Sequence, residues 1–288
     1  MTHLTIVVNK NTYNLYGYSR GGDRTCIVIP ELDVVFDYGY AEHKAVPINN
    51  KLISHGHIDH IGSLHTDHYF RWSNKIQCKQ KYIMPEQCIV PYKMVVSGFA
   101  HMNGGKKGQI NMIDILKNID VINSESCENN MIQLTNDYYC KSYLMDHRIT
   151  SYGYIVYKKS KKLKLEYVGL DKTEYIALKK SGIEITEDIY SPIVGYTGDT
   201  SIDGVLKNTE FFNVPLLLIE CTGFCKEDVK NRLDNHIHID DIYNNMNLFN
   251  NEKIVLYHIS PKYRNIEEIT CCLDKFDDKF IKKIELFY

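Results

Sequence analysis

Three histidines and an aspartate fall within six residues, His55-Gly56-His57-Ile58-Asp59-His60, directly after the apolar run from Lys51 to Ser54. In an extended chain, residues two apart project to the same side, so His55 and His57 can reach one point at the end of a strand. As the chain turns into a helix near His60, Asp59 and His60 face a second point close by, which suits a pair of metal ions with nitrogen and oxygen ligands. Packing gives no reason to bunch four such groups, and their mutual repulsion would oppose protonation. Imidazole and carboxylate favour zinc, and the same donors suit manganese or iron.

Other polar residues sit where strands should end. His147 follows YCKSYLMD, Asp199 lies in the turn GYTGDTS, His258 interrupts IVLYHIS, and Asp37 closes VVFDYG. Taken singly these say little, because a lone histidine is more often a hydrogen-bonded structural residue and Asp in a Gly-Asp-Thr sequence is usually a turn former. Glu220 ends the apolar run PLLLIE, and His236 and His238 lie in DNHIHIDDI. His65 and His68, three apart after the cluster, read as surface or supporting residues, and His3, His43 and His101 have no supporting context.

The elements that must position these groups are short. β-Branched and aromatic runs recur at Leu4–Val8, Thr25–Ile29, Val34–Asp37, Lys51–Ser54 and Tyr138–Met145, then at Tyr152–Lys158, Leu163–Val168, Pro192–Gly198, Pro215–Glu220 and Lys253–Ile259. Helix-like stretches fall at about 60–72, 107–117, 171–181, 226–249 and 264–276. Strands and helices mixed throughout indicate a layered α/β architecture. With no Pro/Gly/Ser tract and no internal repeat, residues 1–288 are expected to form a single domain. Ser97–Gly108 and Asn123–Asn130 read as irregular loops.

Hydrophobic residues make up 44% and charged residues 24% of the chain, enough to build a core without disulfides. The nine cysteines show no zinc-ribbon spacing and read as reduced thiols. No run is long and apolar enough to cross a membrane, and the start lacks a signal-peptide pattern, so an intracellular, cytoplasmic place is expected, with nucleus and organelle left open. A net charge of -2 argues against a protein that coats DNA through a broad basic surface.

The spacing HxHxDH resembles the central motif of the metallo-β-lactamase superfamily. That resemblance implies a four-layer αββα sandwich with its site along one edge of two sheets. It implies two Zn2+ per subunit held by His55, His57, Asp59, His60, His147, Asp199 and His258, with Asp199 bridging. Asp37 would hold the histidine loop without touching metal. Within the superfamily, HRITSYGYIVY, GYTGDTS, IECTGF followed by DNHIHIDDI, LYHISPKY, and GGDRTCIVIP near the start resemble the short, plant-type form of tRNase Z.

This second resemblance implies an endoribonuclease that removes the 3′ trailer from precursor tRNA by metal-hydroxide attack on a phosphodiester. Asp59 would orient the attacking group and take its proton, while His236, supported by Glu220, protonates the departing 3′-oxygen. Residues 155–186 would form an exosite for the tRNA body, with Lys158, Lys159, Lys161, Lys162 and Lys164 on phosphates, and the chain would pair as a homodimer. The glycine-rich 97–108 stretch and Ser63, where a second glycine is common, depart from the pattern and bear on substrate reach. Two other readings stay open: a hydrolase of the same fold acting on other RNA, DNA, a cyclic nucleotide or a lactam, and a non-catalytic RNA-binding relative.

Overall fold

The computed structural model describes residues 2–103, 116–225 and 235–288. Among these residues two seven-stranded sheets follow one another along the chain. The first contains β1 (Thr2–Val8), β2 (Asn11–Arg20), β3 (Arg24–Ile29), β4 (Val34–Phe36), β5 (Asn50–Leu52), β6 (Gln80–Met84) and β7 (Ile119–Asn123), adjacent in chain order. The second contains β8 (Ile132–Gln133), β9 (Tyr138–Met145), β10 (Ser151–Leu163), β11 (Thr186–Tyr196), β12 (Leu216–Glu220), β13 (Lys253–Tyr257) and β14 (Ile284–Leu286), also adjacent in order. Each sheet begins as an antiparallel meander and becomes parallel, from β4 in the first and from β11 in the second. The parallel halves need crossover connections, and these hold most of the helices.

The helices are α1 (Ile58–Ile61), α2 (Asp67–Ser73), α3 (Glu86–Asn103), α4 (Ser126–Asn129), α5 (Lys172–Lys180), α6 (Ile202–Lys207), α7 (Ile239–Asn244), α8 (Ile266–Leu273) and α9 (Asp278–Ile281). Side-chain alternation along β12 shows how the layers form. Leu216 and Leu218 pack inward with Phe36, Leu52, Tyr154, Tyr196 and Val255 from both sheets. Leu217 and Ile219 point the other way, onto Val205 of α6, Ile239 and Ile242 of α7, Ile269 of α8 and Phe280 of α9. On the outside of the first sheet, Val28, Val35 and Tyr82 meet Cys88, Tyr92 and Val96 of α3. This is the expected αββα sandwich, and each wholly buried leucine of β12 contributes roughly 1.5–3 kcal/mol.

Several boundaries differ from the sequence reading. Helix α3 runs through Ser97–Asn103, where an irregular loop was expected. Its buried stripe, Cys88, Tyr92, Val96 and Ala100, has regular helical spacing but is obscured by Pro91 and Gly98. The 60–72 stretch is two helices, α1 and α2, and the 123–130 loop contains α4. The expected strand Leu163–Val168 is instead the end of β10 followed by a 3-10 turn at Leu165–Tyr167. Of the long helix expected over 226–249, only Ile239–Asn244 is helical in the described part. Residues 226–234 lie outside it, as do 107–115 of the helix expected at 107–117 and 104–108 of the glycine-rich stretch. No helix among the described residues is long and apolar enough to cross a membrane.

Strands β10 and β11 outrun their neighbours. β9 pairs with β10 only as far as Lys158, and β12 pairs with β11 only from Val194. From the pair Lys159↔Tyr190 to Leu163↔Thr186 the two strands therefore form a ribbon without a third strand. Helix α5 caps this excursion, started by a capping box in which Asp171 accepts from the backbone of Thr173 and Glu174.

Candidate metal centre

The candidate ligands leave the carboxyl ends of strands. His55 and His57 follow β5, His147 follows β9, Asp199 follows β11 and His258 comes directly after β13, while Glu220 is the last residue of β12. In parallel sheets these ends share one edge, where side chains from separate crossovers can meet. The backbone is bent to achieve this. Asp37 (φ 58°) and His258 (φ 61°) both occupy the left-handed region, which is uncommon for residues with a side chain.

Gly198, just before Asp199, has φ 64°, and a Cβ there would lie 2.7 Å from Ser54 Cβ and 2.9 Å from the Tyr152 carbonyl oxygen. Gly198→Ala is therefore expected to cost more than the roughly 1–2 kcal/mol of left-handed strain alone. A clearly lowered melting temperature and reduced metal content are the expected results; an unchanged melt would show that the turn has room to spare.

The donor atoms of the seven candidate ligands form two groups. His55, His57, His147 and Asp199 make one, and Asp59, His60 and His258 the other, each with ligand atoms within 4.8 Å of one another. His55 Nε2 lies 2.9 Å from His57 Nδ1, and His147 Nε2 lies 3.4 Å from the same atom. Asp199 Oδ2 lies between the groups, 3.8 Å from His55 Nε2, 3.3 Å from His60 Nε2 and 3.2 Å from His258 Nε2. Asp59 Oδ2 is 3.4 Å from both His60 Nε2 and His258 Nε2.

What holds the rings is as informative as what they face. His55 Nδ1 pairs with Ser54 Oγ, His60 Nδ1 with Asp37 Oδ2, His147 Nδ1 with the Asn235 carbonyl and His258 Nδ1 with Thr222 Oγ1. In each case the outer nitrogen is engaged and Nε2 is turned to the centre, the arrangement typical of ligating histidines. Buried Asp37 also accepts from the Ser54 N–H, from Ser54 Oγ and from the Tyr196 hydroxyl, so it positions the histidine loop from behind. Gly22 donates its N–H to Asp59 Oδ2 at 2.9 Å. Neither Gly22 nor Thr222 was singled out from the sequence, although both lie in stretches that carry the family resemblance, GGDRTCIVIP and IECTGF.

Beside the clusters, His236 Nδ1 lies 2.8 Å from Glu220 Oε1. Glu220 is fully buried and also accepts from the Thr200 N–H, the Thr222 hydroxyl and the Ile237 N–H. The His236 ring is 5.2 Å from those of His147 and His258, and it also lies within ligand reach of Asp199 and His258. Its engagement by Glu220 leaves Nε2 as the free nitrogen. His238 caps α7, accepting from the Asp240 N–H, and its other nitrogen meets the Cys225 carbonyl. His65 stacks on Phe99, His68 lies against Tyr69, and neither belongs to a donor group.

Burial and charge set the protonation states. Burial lowers His55, and the neighbouring His60 charge adds to this, leaving a neutral ring able to ligate. Burial would raise Asp59 and Asp199, but the imidazoles around them win and hold both carboxylates ionised. For His236 burial works downward, and the charge and hydrogen bond of Glu220 overcome it, raising the ring to about 9.

A divalent cation fits this donor set on the geometry of the chain itself. Two ligands each about 2.0–2.1 Å from a tetrahedral ion stand roughly 3.3 Å apart, close to the separations observed. Buried His60 Nε2 and Asp199 Oδ1 have no hydrogen-bond partner, although orphaned buried polar groups are rare without a reason. Chelation is expected to lower the melting temperature and zinc to restore it, since an ion present about a thousandfold above its Kd stabilises by about 4 kcal/mol. A melt indifferent to chelator and zinc would count against the site.

Stacked mixed sheets with histidines and carboxylates gathered at their shared edge define a protein of the metallo-β-lactamase fold. The metallo-β-lactamase fold protein YhfI from Bacillus subtilis superposes with a TM-score of 0.56 over 93% of each chain, at 12% identity. Human tRNase Z, short form, superposes with a TM-score of 0.54 over 87% of this chain and 93% of that one, at 16% identity. At such identities the likeness speaks for the fold alone. No family model matches the chain. The sequence is, however, 33% identical to tRNase Z TRZ1 of Arabidopsis thaliana over 276 residues, 91% of each protein. The chain belongs to the tRNase Z family.

Proposed function

We propose that this chain is a metal-dependent endoribonuclease that removes the 3′ trailer from precursor tRNA, using two zinc ions per subunit. The observation that carries this reading is the Glu220–His236 pair standing beside the two donor groups. Cleaving a phosphodiester to free a ribose 3′-oxygen calls for a proton at the leaving group, and histidine can supply one near neutral pH.

Bound cations would activate water and neutralise charge on the phosphate oxygens. Asp59, whose carboxylate accepts from the Gly22 N–H, orients the attacking water and takes its proton in this proposal. His236 donates from Nε2 to the departing 3′-oxygen. Glu220 keeps that ring charged and fixes its plane, and the products are tRNA with a 3′-hydroxyl and a trailer with a 5′-phosphate. The metal-loaded protein should cleave 3′-extended precursor tRNA in preference to generic RNA, DNA or a chromogenic lactam. Preference for any of these others would overturn the assignment of substrate.

The β10–β11 ribbon is the proposed grip on the tRNA body. Its charge is more balanced than the lysine run suggests, because Lys159 pairs with Asp188 at 2.7 Å and Lys161 with Glu184 at 3.0 Å. Lys158, Lys162 and Lys164 carry no ion pair among the described residues, and Lys172, Lys179 and Lys180 of α5 add positive charge to the same excursion. Replacing Lys158, Lys159, Lys161, Lys162 and Lys164 together with Ala should weaken tRNA binding. It should also flatten the salt dependence by about 0.7–0.9 for each phosphate that a lysine no longer neutralises. An unchanged affinity and slope would exclude the ribbon as the grip.

The ribbon lies some ten residues along β10 from the metal edge, roughly 30 Å at 3.3 Å per residue. A homodimer in which one subunit's ribbon serves its partner's site is part of the same proposal. Mixing an Asp59→Ala chain with the lysine variant should then give cleavage well above the sum of the two alone, and simple additivity would exclude the exchange. An intracellular place of action also belongs to this reading, consistent with cysteines kept as thiols.

A further inference from the structure

Two cysteines far apart in sequence meet beside the site. Cys225 Sγ and Cys272 Sγ lie 2.6 Å apart, inside ordinary non-bonded sulfur contact and only slightly outside the covalent length of about 2.05 Å. Both are half-buried, so a small oxidant can reach them, and Cys271, next to Cys272 on α8, is exposed. Cys127 and Cys140 share the core between the sheets but are fully buried.

The position of Cys225 gives the contact its interest. It lies five residues beyond Glu220. Its main chain is held at both polar atoms: the N–H donates to the Tyr263 hydroxyl at 2.9 Å, and the carbonyl meets His238 Nε2 at 3.0 Å. Through His238 this stretch is joined to the one that carries His236, and a parallel bridge between Gly223 and His238 reinforces the junction. Cys272 belongs to a different element, α8, which packs on the outer face of the second sheet.

We propose that Cys225 and Cys272 form a reversible disulfide that staples the wall bearing Glu220 and His236 to α8. With a glutathione disulfide as oxidant, one protein thiolate attacks a glutathione sulfur and expels one glutathione thiolate. The second protein thiolate then displaces the other glutathione, so two protein thiols lose two electrons and two protons while the oxidant becomes two glutathione thiols. The staple closes a loop of more than forty residues of chain, and such cross-links stabilise chiefly by restricting the unfolded state.

The test equilibrates the metal-loaded protein in reduced and oxidised glutathione mixtures, followed by intact mass, peptide mapping and thermal melting. The expected oxidised form is lighter by two hydrogens, yields a cross-linked peptide joining Cys225 to Cys272 and melts several degrees higher. Cys271→Ser should leave all three results in place, which assigns the bond within the adjacent pair. Cys225→Ser and Cys272→Ser should each abolish them. A cross-link through Cys271 or between Cys127 and Cys140, a lasting glutathione adduct, or no loss of mass at poises that oxidise exposed dithiols would overturn the proposal.

Discussion

Asp59→Ala is expected to lower kcat/KM on precursor tRNA at least about a thousandfold while leaving a folded protein that still binds tRNA. A well-placed proton acceptor alone is worth about 10²–10⁴-fold, and Asp59 also supplies one of the three donors of the second group. Its backbone is set independently of its carboxylate, because α1 is anchored through His60, whose Nδ1 is held by Asp37 and whose carbonyl accepts from the Tyr38 N–H. Circular dichroism and tRNA affinity close to those of the parent should accompany the loss. Near-normal cleavage by this variant would refute the role given to Asp59.

His236→Ala should reduce precursor cleavage by about 10²–10⁴-fold, the range for a general acid, with little change in the melting temperature. The discriminating readout is a second substrate. Bis(p-nitrophenyl) phosphate releases a stable phenolate that needs no proton, so its hydrolysis should survive the substitution largely intact. If both substrates lost activity equally, His236 would be acting on the metals or the fold and not on the leaving group. Glu220→Ala should behave differently, because three other donors converge on that carboxylate. Its removal would leave the Thr200 N–H, the Thr222 hydroxyl and the Ile237 N–H without their acceptor, and each buried group left unpaired costs about 1–3 kcal/mol, so this variant should lose stability as well as turnover.

These expectations differ in how far the amino-acid sequence alone could support them. The cluster from His55 to His60 was readable because its four groups lie within six residues at the end of a strand, where geometry leaves them few other places to point. His147, Asp199 and His258 were not readable by spacing, since they come from separate connections, a hairpin after β9 and the crossovers after β11 and β13, and only resemblance to a family pattern selected them. The structure brings all seven into the two donor groups. What holds them in place was mostly hidden. Thr222 behind His258 and the Gly22 N–H on Asp59 are tertiary contacts between segments more than thirty residues apart, and no local pattern encodes them.

Layering was legible because strand-like and helix-like runs are mixed along the chain, whereas β12, apolar from Leu216 to Ile219, carries no alternation that would tell its two faces apart. Helix α3 was missed because Pro91 and Gly98 interrupt a stripe that tertiary burial nonetheless keeps helical. The lysine run was legible as charge but not as free charge. Asp188 on the returning strand and Glu184 just before it, which neutralise part of the run, lie more than twenty residues away, and only the β10–β11 pairing brings them alongside.

The decisive measurement is to sequence both ends of the products from one defined, 3′-extended precursor tRNA. A single dominant cut is expected at the junction of tRNA body and trailer, with a 3′-hydroxyl on the tRNA and a 5′-phosphate on the trailer, abolished by chelator and restored by zinc. Scattered cuts, a 3′-phosphate on the tRNA, or cleavage that persists without metal would contradict a metal-dependent tRNA 3′-endonuclease.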